Sequence, residues 1–193
     1  MPGADLFNGR DLAGWEYVTL PTVMDIASVC TVKPDGVIAV VGKPVGYIAA
    51  TGSYHDYRLH AEWRWPGKAG NSGVLVHITG GPKDRVWPLC HQVQTKSGNV
   101  GDLLPMAGAT FAEPLTSAPG ATAIKARTAP DSEKPVGEWN SCDVICRGDT
   151  IEVTVNGVLQ NRVTRASPAT GRVGFQLEGV PFELRRVHLE PLD

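Results

Sequence analysis

Short runs of alternating apolar and polar residues, separated by clusters of Gly, Pro, Asn and Asp, recur along the whole chain. Such spacing marks short strands joined by turns. It predicts strands near Val37–Val41, Tyr57–Trp65, Gly73–Ile78, Leu89–Thr95, Trp139–Arg147, Thr150–Asn156, Val158–Val163, Gly171–Glu178 and Phe182–Leu189. No amphipathic run between them is long enough for a helix, beyond one turn within Asp25–Cys30. The clearest local geometry is Ile151-Glu152-Val153-Thr154-Val155, then Asn156-Gly157, then Val158-Leu159-Gln160. Both turn positions of such a hairpin need positive φ, which Asn and Gly tolerate. Arg147-Gly148-Asp149 supplies the preceding turn, which makes Glu138–Arg162 a three-strand meander.

The stretch Leu103–Pro135 breaks the pattern. Pro105, Pro114, Pro119, Pro130 and Pro135 interrupt a run of small residues, and that density excludes a central strand. A loop excursion is expected at about 103–135, of a length that is usually functional or mobile. Nothing in the chain reads as a linker between two cores, so one all-β domain over 1–193, a two-sheet antiparallel sandwich, is the expected architecture.

Composition agrees and excludes several classes. Apolar residues make up 42%, enough for a large core, and 22 Gly with 15 Pro suit many turns rather than a helical bundle. The net charge of −2, with no basic stripe, argues against nucleic acid as a partner. No run approaches the roughly 20 apolar residues of a membrane helix, and Met1-Pro2-Gly3-Ala4-Asp5 lacks the regions of a signal peptide. Cys30, Cys90, Cys142 and Cys146 show no CxxC spacing and are expected to be buried thiols. Cys142 and Cys146, on one predicted strand, stand roughly 13 Å apart, too far for a disulfide.

Splitting each strand by side-chain parity locates candidate chemistry. In Arg58–Trp65 one parity carries His60, Glu62 and Arg64, and the other Leu59, Ala61, Trp63 and Trp65. The next strand sets Val74, Val76 and Ile78 against Leu75 and His77. Beyond it, Gln92 and Gln94 share a parity with Cys90, and Gln176 and Glu178 oppose Phe175 and Leu177. Any one of these polar sides suits a solvated antiparallel strand. Together Glu62, Arg64, His77, Gln92, Gln94, Gln176 and Glu178 are expected to line one surface, whose amides and carboxylates match sugar hydroxyls. Trp87, read in a loop before the Gln92 strand, is a candidate for stacking on a sugar, and Asp102 a candidate carboxylate or turn former. Trp139 is expected in the core. No nucleophile elbow, Walker loop, HExxH or dinucleotide fingerprint is present. A two-carboxylate glycosidase would have to draw its pair from separate strands, such as Glu62 and Glu178.

An ordered set of segments adds a family resemblance. Leu6-Phe7-Asn8-Gly9-Arg10-Asp11-Leu12-Ala13-Gly14-Trp15 resembles the opening of the 3-keto-disaccharide hydrolase family. The likeness continues through Tyr54-His55-Asp56-Tyr57, Glu62-Trp63-Arg64, Asn71-Ser72-Gly73-Val74, Trp87-Pro88, Gly101-Asp102, Gly137-Glu138-Trp139-Asn140 and Gly174-Phe175-Gln176-Leu177-Glu178-Gly179. The resemblance implies a concanavalin A-like lectin/glucanase jelly roll acting on glycosides already oxidised at C3. It also implies cleavage by elimination or net hydrolysis, with an oxyanion stabiliser or a divalent metal holding the developing charge. If a leader was removed, it favours a periplasmic or extracellular location. On that basis Glu62, His77, Arg64 and Glu178 are the candidate catalytic residues, with His77 or Glu62 as the proton acceptor. Trp87, Gln92, Gln94, Asp102 and Gln176 are the candidate substrate contacts. One position departs from the family, which commonly carries a glutamate where this chain has Gln92, and an amide cannot act as a general base at neutral pH. A non-catalytic carbohydrate-binding module is the alternative reading.

Overall fold

A computed structural model describes residues 2–193. The strands are β1 (Ala4–Asp5), β2 (Trp15–Thr19), β3 (Cys30–Val32), β4 (Ile38–Val40), β5 (Gly46–Ala50), β6 (Tyr57–Arg64), β7 (Gly73–Asp84), β8 (Trp87–Gln94), β9 (Leu103–Met106), β10 (Asn140–Arg147), β11 (Thr150–Val155), β12 (Val158–Val163), β13 (Arg172–Leu177) and β14 (Phe182–Pro191). A single turn of 3-10 helix, Ile26–Ser28, is capped by the Asp25 side chain. All pairings of these strands are antiparallel. They form two sheets, a back sheet in the order β12-β11-β10-β6-β14-β4-β3 with β1 on β14, and a front sheet in the order β2-β5-β13-β7-β8-β9.

The core lies between the sheets, where the inward parities meet. Leu59, Ala61, Trp63 and Trp65 of the back sheet face Val74, Val76, Val93, Phe175 and Leu177 of the front sheet. Trp65 anchors one end, edge-on to both Trp63 and Phe182 at 5.7 and 6.2 Å between ring centroids. The four cysteines are buried and unbridged. The predicted hairpin is present: Asn156 and Gly157 turn with φ of 50° and 81° between β11 and β12. The Asn156 side chain adds bonds of its own, donating to the Ser132 carbonyl and Asn140 Oδ1 and accepting from the Ser141 N–H and hydroxyl.

The proline-rich excursion opens with an edge strand, β9, where Pro105 costs no ladder bond in the sheet centre. The rest is ordered by bonds to both sheets: Leu103 and Lys125 exchange backbone hydrogen bonds, Thr128 N–H donates to the Gln160 carbonyl, and Ala112 N–H donates to the Thr164 carbonyl. It closes the open side of the sandwich between β9 and β12.

Trp139 differs from expectation. It is only half-buried and lies on the outer side of the back sheet, its ring flanked by the guanidinium groups of Arg64 at 4.6 Å and Arg185 at 4.2 Å. These two cation–π contacts supply what core packing would have supplied.

Candidate functional site

The outer face of the front sheet carries a groove of about 470 Å³, a size suited to a small ligand. Its floor comes from alternate residues of neighbouring strands. Gln92 and Gln94 on β8 point outward because Val93 between them points into the core, and Gln176 and Glu178 flank the buried Leu177 in the same way. Between these two pairs runs β7, which presents Gly73 opposite Gln94. A Cβ at Gly73 would lie 2.6 Å from both Cγ and Nε2 of Gln92, so only glycine lets that side chain cross the strand.

Across this gap the amides form a directed chain. The Glu178 carboxylate only accepts, so it orients Gln176 with Nε2 toward it. Gln176 Oε1 then accepts from Gln92 Nε2 at 2.6 Å, and Gln94 Oε1 accepts from the same amide at 2.6 Å. The consequence is that Gln92 Oε1, on a side chain 1% exposed, is left without a partner. Asn71 Oδ1, also lining the groove, is buried and unpartnered as well. A buried acceptor left empty is costly, so two at one groove point to a ligand that brings hydroxyl or other donors.

Trp87 also lines this groove, but as the first residue of β8 rather than in a loop. It is 7% exposed and packs with Tyr47, Leu75, Val86 and Cys90, so it is part of the floor rather than a free stacking platform.

The remaining candidates lie elsewhere, and the expectation of one shared surface fails. Glu62 and Arg64 keep the outward parity predicted for β6, but β6 is a central strand of the back sheet, so they face away from the groove across the whole sandwich. There Glu62 is almost completely paired. Arg185 Nε donates to it, Arg186 donates at 3.1 Å, and a His60 ring nitrogen stands at 3.4 Å. Burial works to raise the Glu62 pKa, but the bonds and charge of Arg185 and Arg186 outweigh it and hold the carboxyl below its ordinary value. Arg64 is bound to Glu183, which Lys33 also holds at 2.6 Å. A Glu62–Glu178 glycosidase pair is therefore ruled out by geometry.

His77 is displaced for a different reason. A β-bulge between Val76 and Thr79, with φ of 56° at His77, adds a residue to β7 and resets its alternation. Ile78 therefore packs on the outer face with Leu75, and His77 turns inward beside Tyr57 and His91, at 6.0 and 6.1 Å between ring centroids. Its Nδ1 meets the Pro168 carbonyl at 3.1 Å, and the ring has no exposure. Burial depresses the pKa of His77 and of His91 to about 4 each. Asp102 is 4% exposed and accepts from the Arg127 N–H at 2.8 Å, so it anchors the excursion instead of facing the groove.

The divalent metal that the resemblance allows as an alternative would find few protein ligands. Among the described residues no group of three or more His, Cys, Asp or Glu is placed to hold an ion. The groove floor offers one carboxylate and two free amide oxygens, so an ion held there would take the rest of its oxygens from water or substrate.

Parity reasoning missed Asn71 and Lys96, together with the segments Leu104–Ala107 and Ala121–Ile124, all of which line the groove. Asn71 stands just before β7, where strand parity assigns no direction. The two segments belong to the excursion, whose periodicity is too weak to reveal a facing side.

The fold recurs among solved structures. A proposed glycosyl hydrolase from Parabacteroides distasonis matches with a TM-score of 0.71 at 23% identity, over 100% of this chain and 94% of that one. A carbohydrate-binding module, CBM66 from Bacillus subtilis, matches with a TM-score of 0.64 at 11% identity, over 93% of this chain and 97% of the module. The Bacillus licheniformis β-glucanase matches with a TM-score of 0.60 at 10% identity, over 100% of this chain and 99% of the enzyme. The sandwich is thus a jelly roll of the concanavalin A-like lectin/glucanase type. Among curated proteins none matches the chain in sequence. The model of the 3-keto-alpha-glucoside-1,2-lyase-like domain matches residues 3–190, nearly the full length, and the chain belongs to that family.

Proposed function

We propose that the groove on the front sheet cleaves 3-keto-glycosides, with Glu178 as the proton acceptor. The observation that carries this reading is the directed amide chain, which leaves Gln92 Oε1 and Asn71 Oδ1 as buried free acceptors close to a carboxylate. Sugar hydroxyls are donors of the matching kind. A ketone at C3 acidifies the C2 proton. Glu178 takes that proton, the electron pair moves onto the C3 oxygen, and the enolate collapses to expel the C1 substituent. The departing oxygen takes up the proton that Glu178 removed, which restores the carboxylate, and later addition of water across the C1–C2 double bond makes the outcome a net hydrolysis. Lys96, a cation lining the groove, is the candidate to stabilise the enolate oxygen. Gln176 holds Glu178 by donating to it, and Gln92 and Gln94 orient the ring.

Incubation with a 3-keto-glucoside, followed by chromatography, should show release of the aglycone. Absence of release, with and without added divalent metal, defeats the proposal. A second reading, a non-catalytic carbohydrate-binding module, is favoured by one residue, the amide of Gln92 at a position where family members commonly carry glutamate. It predicts calorimetric binding of unoxidised glycan with no turnover of the keto sugar.

A further inference from the structure

The groove is divided along its strands. Toward the ends of β8 and β13 its floor is polar, formed by Gln92, Gln94, Gln176 and Glu178. Toward the start of β8 it is apolar, with Trp87 packed on Leu75 and Cys90. The edge strand β9 extends that apolar character sideways, since Leu104 stands opposite Gln92 and Met106 opposite Cys90. Ile124 closes this side from the excursion. Its backbone is fixed there by the Thr116 and Ser117 N–H groups, which donate to its carbonyl, and by Ser117 Oγ, which accepts from its N–H. Leu104 is buried and Met106 and Ile124 are half-buried, so these side chains present a preformed wall. The charges at this end, Asp84 and Arg85, are on the rim, with side chains 62% and 81% exposed.

A pyranose ring carries hydroxyls around its edge. Pressed against Leu104, Met106 and Ile124, those hydroxyls would lose water without gaining a partner, whereas an aryl or alkyl group loses nothing there and gains from burial. We propose that the apolar half is the aglycone subsite, and that it selects glycosides with an aromatic or aliphatic aglycone over those in which the aglycone is a second sugar. This rests on the polar half being the seat of the keto sugar. The amide chain runs from Glu178 across the strands to Gln92 and ends where the apolar wall begins, so the keto sugar reacts at Glu178 and its aglycone points from there toward Leu104, Met106 and Ile124.

The test compares kcat/KM for three 3-keto-glucosides of one anomeric configuration: the methyl glycoside, the benzyl glycoside and a disaccharide. Benzyl is expected to exceed methyl by about tenfold, mainly through KM, with the disaccharide at or below methyl. Ile124→Asp and, separately, Met106→Ser should each bring the benzyl-to-methyl ratio back toward one. A disaccharide turned over as well as or better than the benzyl glycoside overturns the inference, as does a ratio that neither variant changes. If none of the three is turned over, the catalytic reading fails, and calorimetry with unoxidised benzyl and methyl glucosides decides the subsite by itself. Tighter binding of benzyl then upholds it and equal binding overturns it.

Discussion

The two outer faces of this sandwich are both rich in polar side chains and both carry a hollow of about 470 Å³, yet their chemistry is opposite. On the back sheet the charges are satisfied by one another. Arg58 and His60 both reach Asp143, Arg185 and Arg186 both reach Glu62, and Lys33 and Arg64 both reach Glu183. On the front sheet the polar groups are mainly amides, and their chain ends with Gln92 Oε1 unsatisfied. A closed network stabilises a surface, whereas an open one leaves a position for a ligand. The number of charged residues on a face therefore says less about function than whether the face is complete without a ligand.

The largest expected effect breaks this comparison most directly. Glu178→Gln keeps the size of the side chain but removes the base, and turnover of a 3-keto-glucoside should fall by about a thousandfold. An amide at 178 no longer fixes the direction of Gln176, so KM should rise as well. Single-turnover kinetics separate the two contributions. Retention of more than about a tenth of the rate would exclude Glu178 as the proton acceptor.

Acid stability sharpens the comparison, because the groove should contribute little to it. His77 and His91 titrate near 4 when folded and near 6.5 when unfolded, so below pH 6.5 the unfolded chain binds protons that the native state refuses. Their contribution is fully present above about pH 6.5 and is lost as the pH falls toward 4, a change on the order of a few kcal/mol. Glu62 and Glu183, with folded pKa values held below 4.5, add a second loss at lower pH, as those carboxylates become protonated. Thermal melts between pH 8 and pH 3 should show both limbs. His91→Phe should flatten the upper one, and a profile flat from pH 7 to pH 5 would contradict the burial of the histidine pair.

How much of this was legible in the sequence depended on how local its cause was. The Asn156-Gly157 hairpin and the inward face of β6 follow from residues a few positions apart, and both are as expected. The side of the sandwich to which Glu62 belongs depends on β6 pairing with β10 and β14, contacts made by residues some 80 to 130 positions distant, which parity does not encode. His77 departs from simple alternation because the bulge after Val76 inverts it together with Ile78. Strand β5 escaped notice because Gly46–Ala50 is buried on both faces and does not alternate. In the groove, Gln92, Gln94, Gln176 and Glu178 were legible from alternation. Asn71 and Ile124 were not, since loops direct them.

The smallest expected effect completes the contrast. Glu62 has more polar partners than Glu178, and by the count of its contacts it looks the more important carboxylate. Glu62→Gln should nevertheless leave turnover of the keto sugar within about twofold of the parent, because the core separates it from the groove. Its cost should appear as stability. Removing the charge leaves Arg185 and Arg186 without their shared partner, but their side chains are 32% and 69% exposed and water replaces much of what is lost. A loss of about 1 kcal/mol in denaturant melts is expected. The low-pH limb should shrink at the same time, because a glutamine no longer takes up the proton that Glu62 accepts on acid unfolding. If turnover falls with Glu62→Gln as it does with Glu178→Gln, the two faces are not independent, and the division between a closed structural network and an open ligand site has to be abandoned.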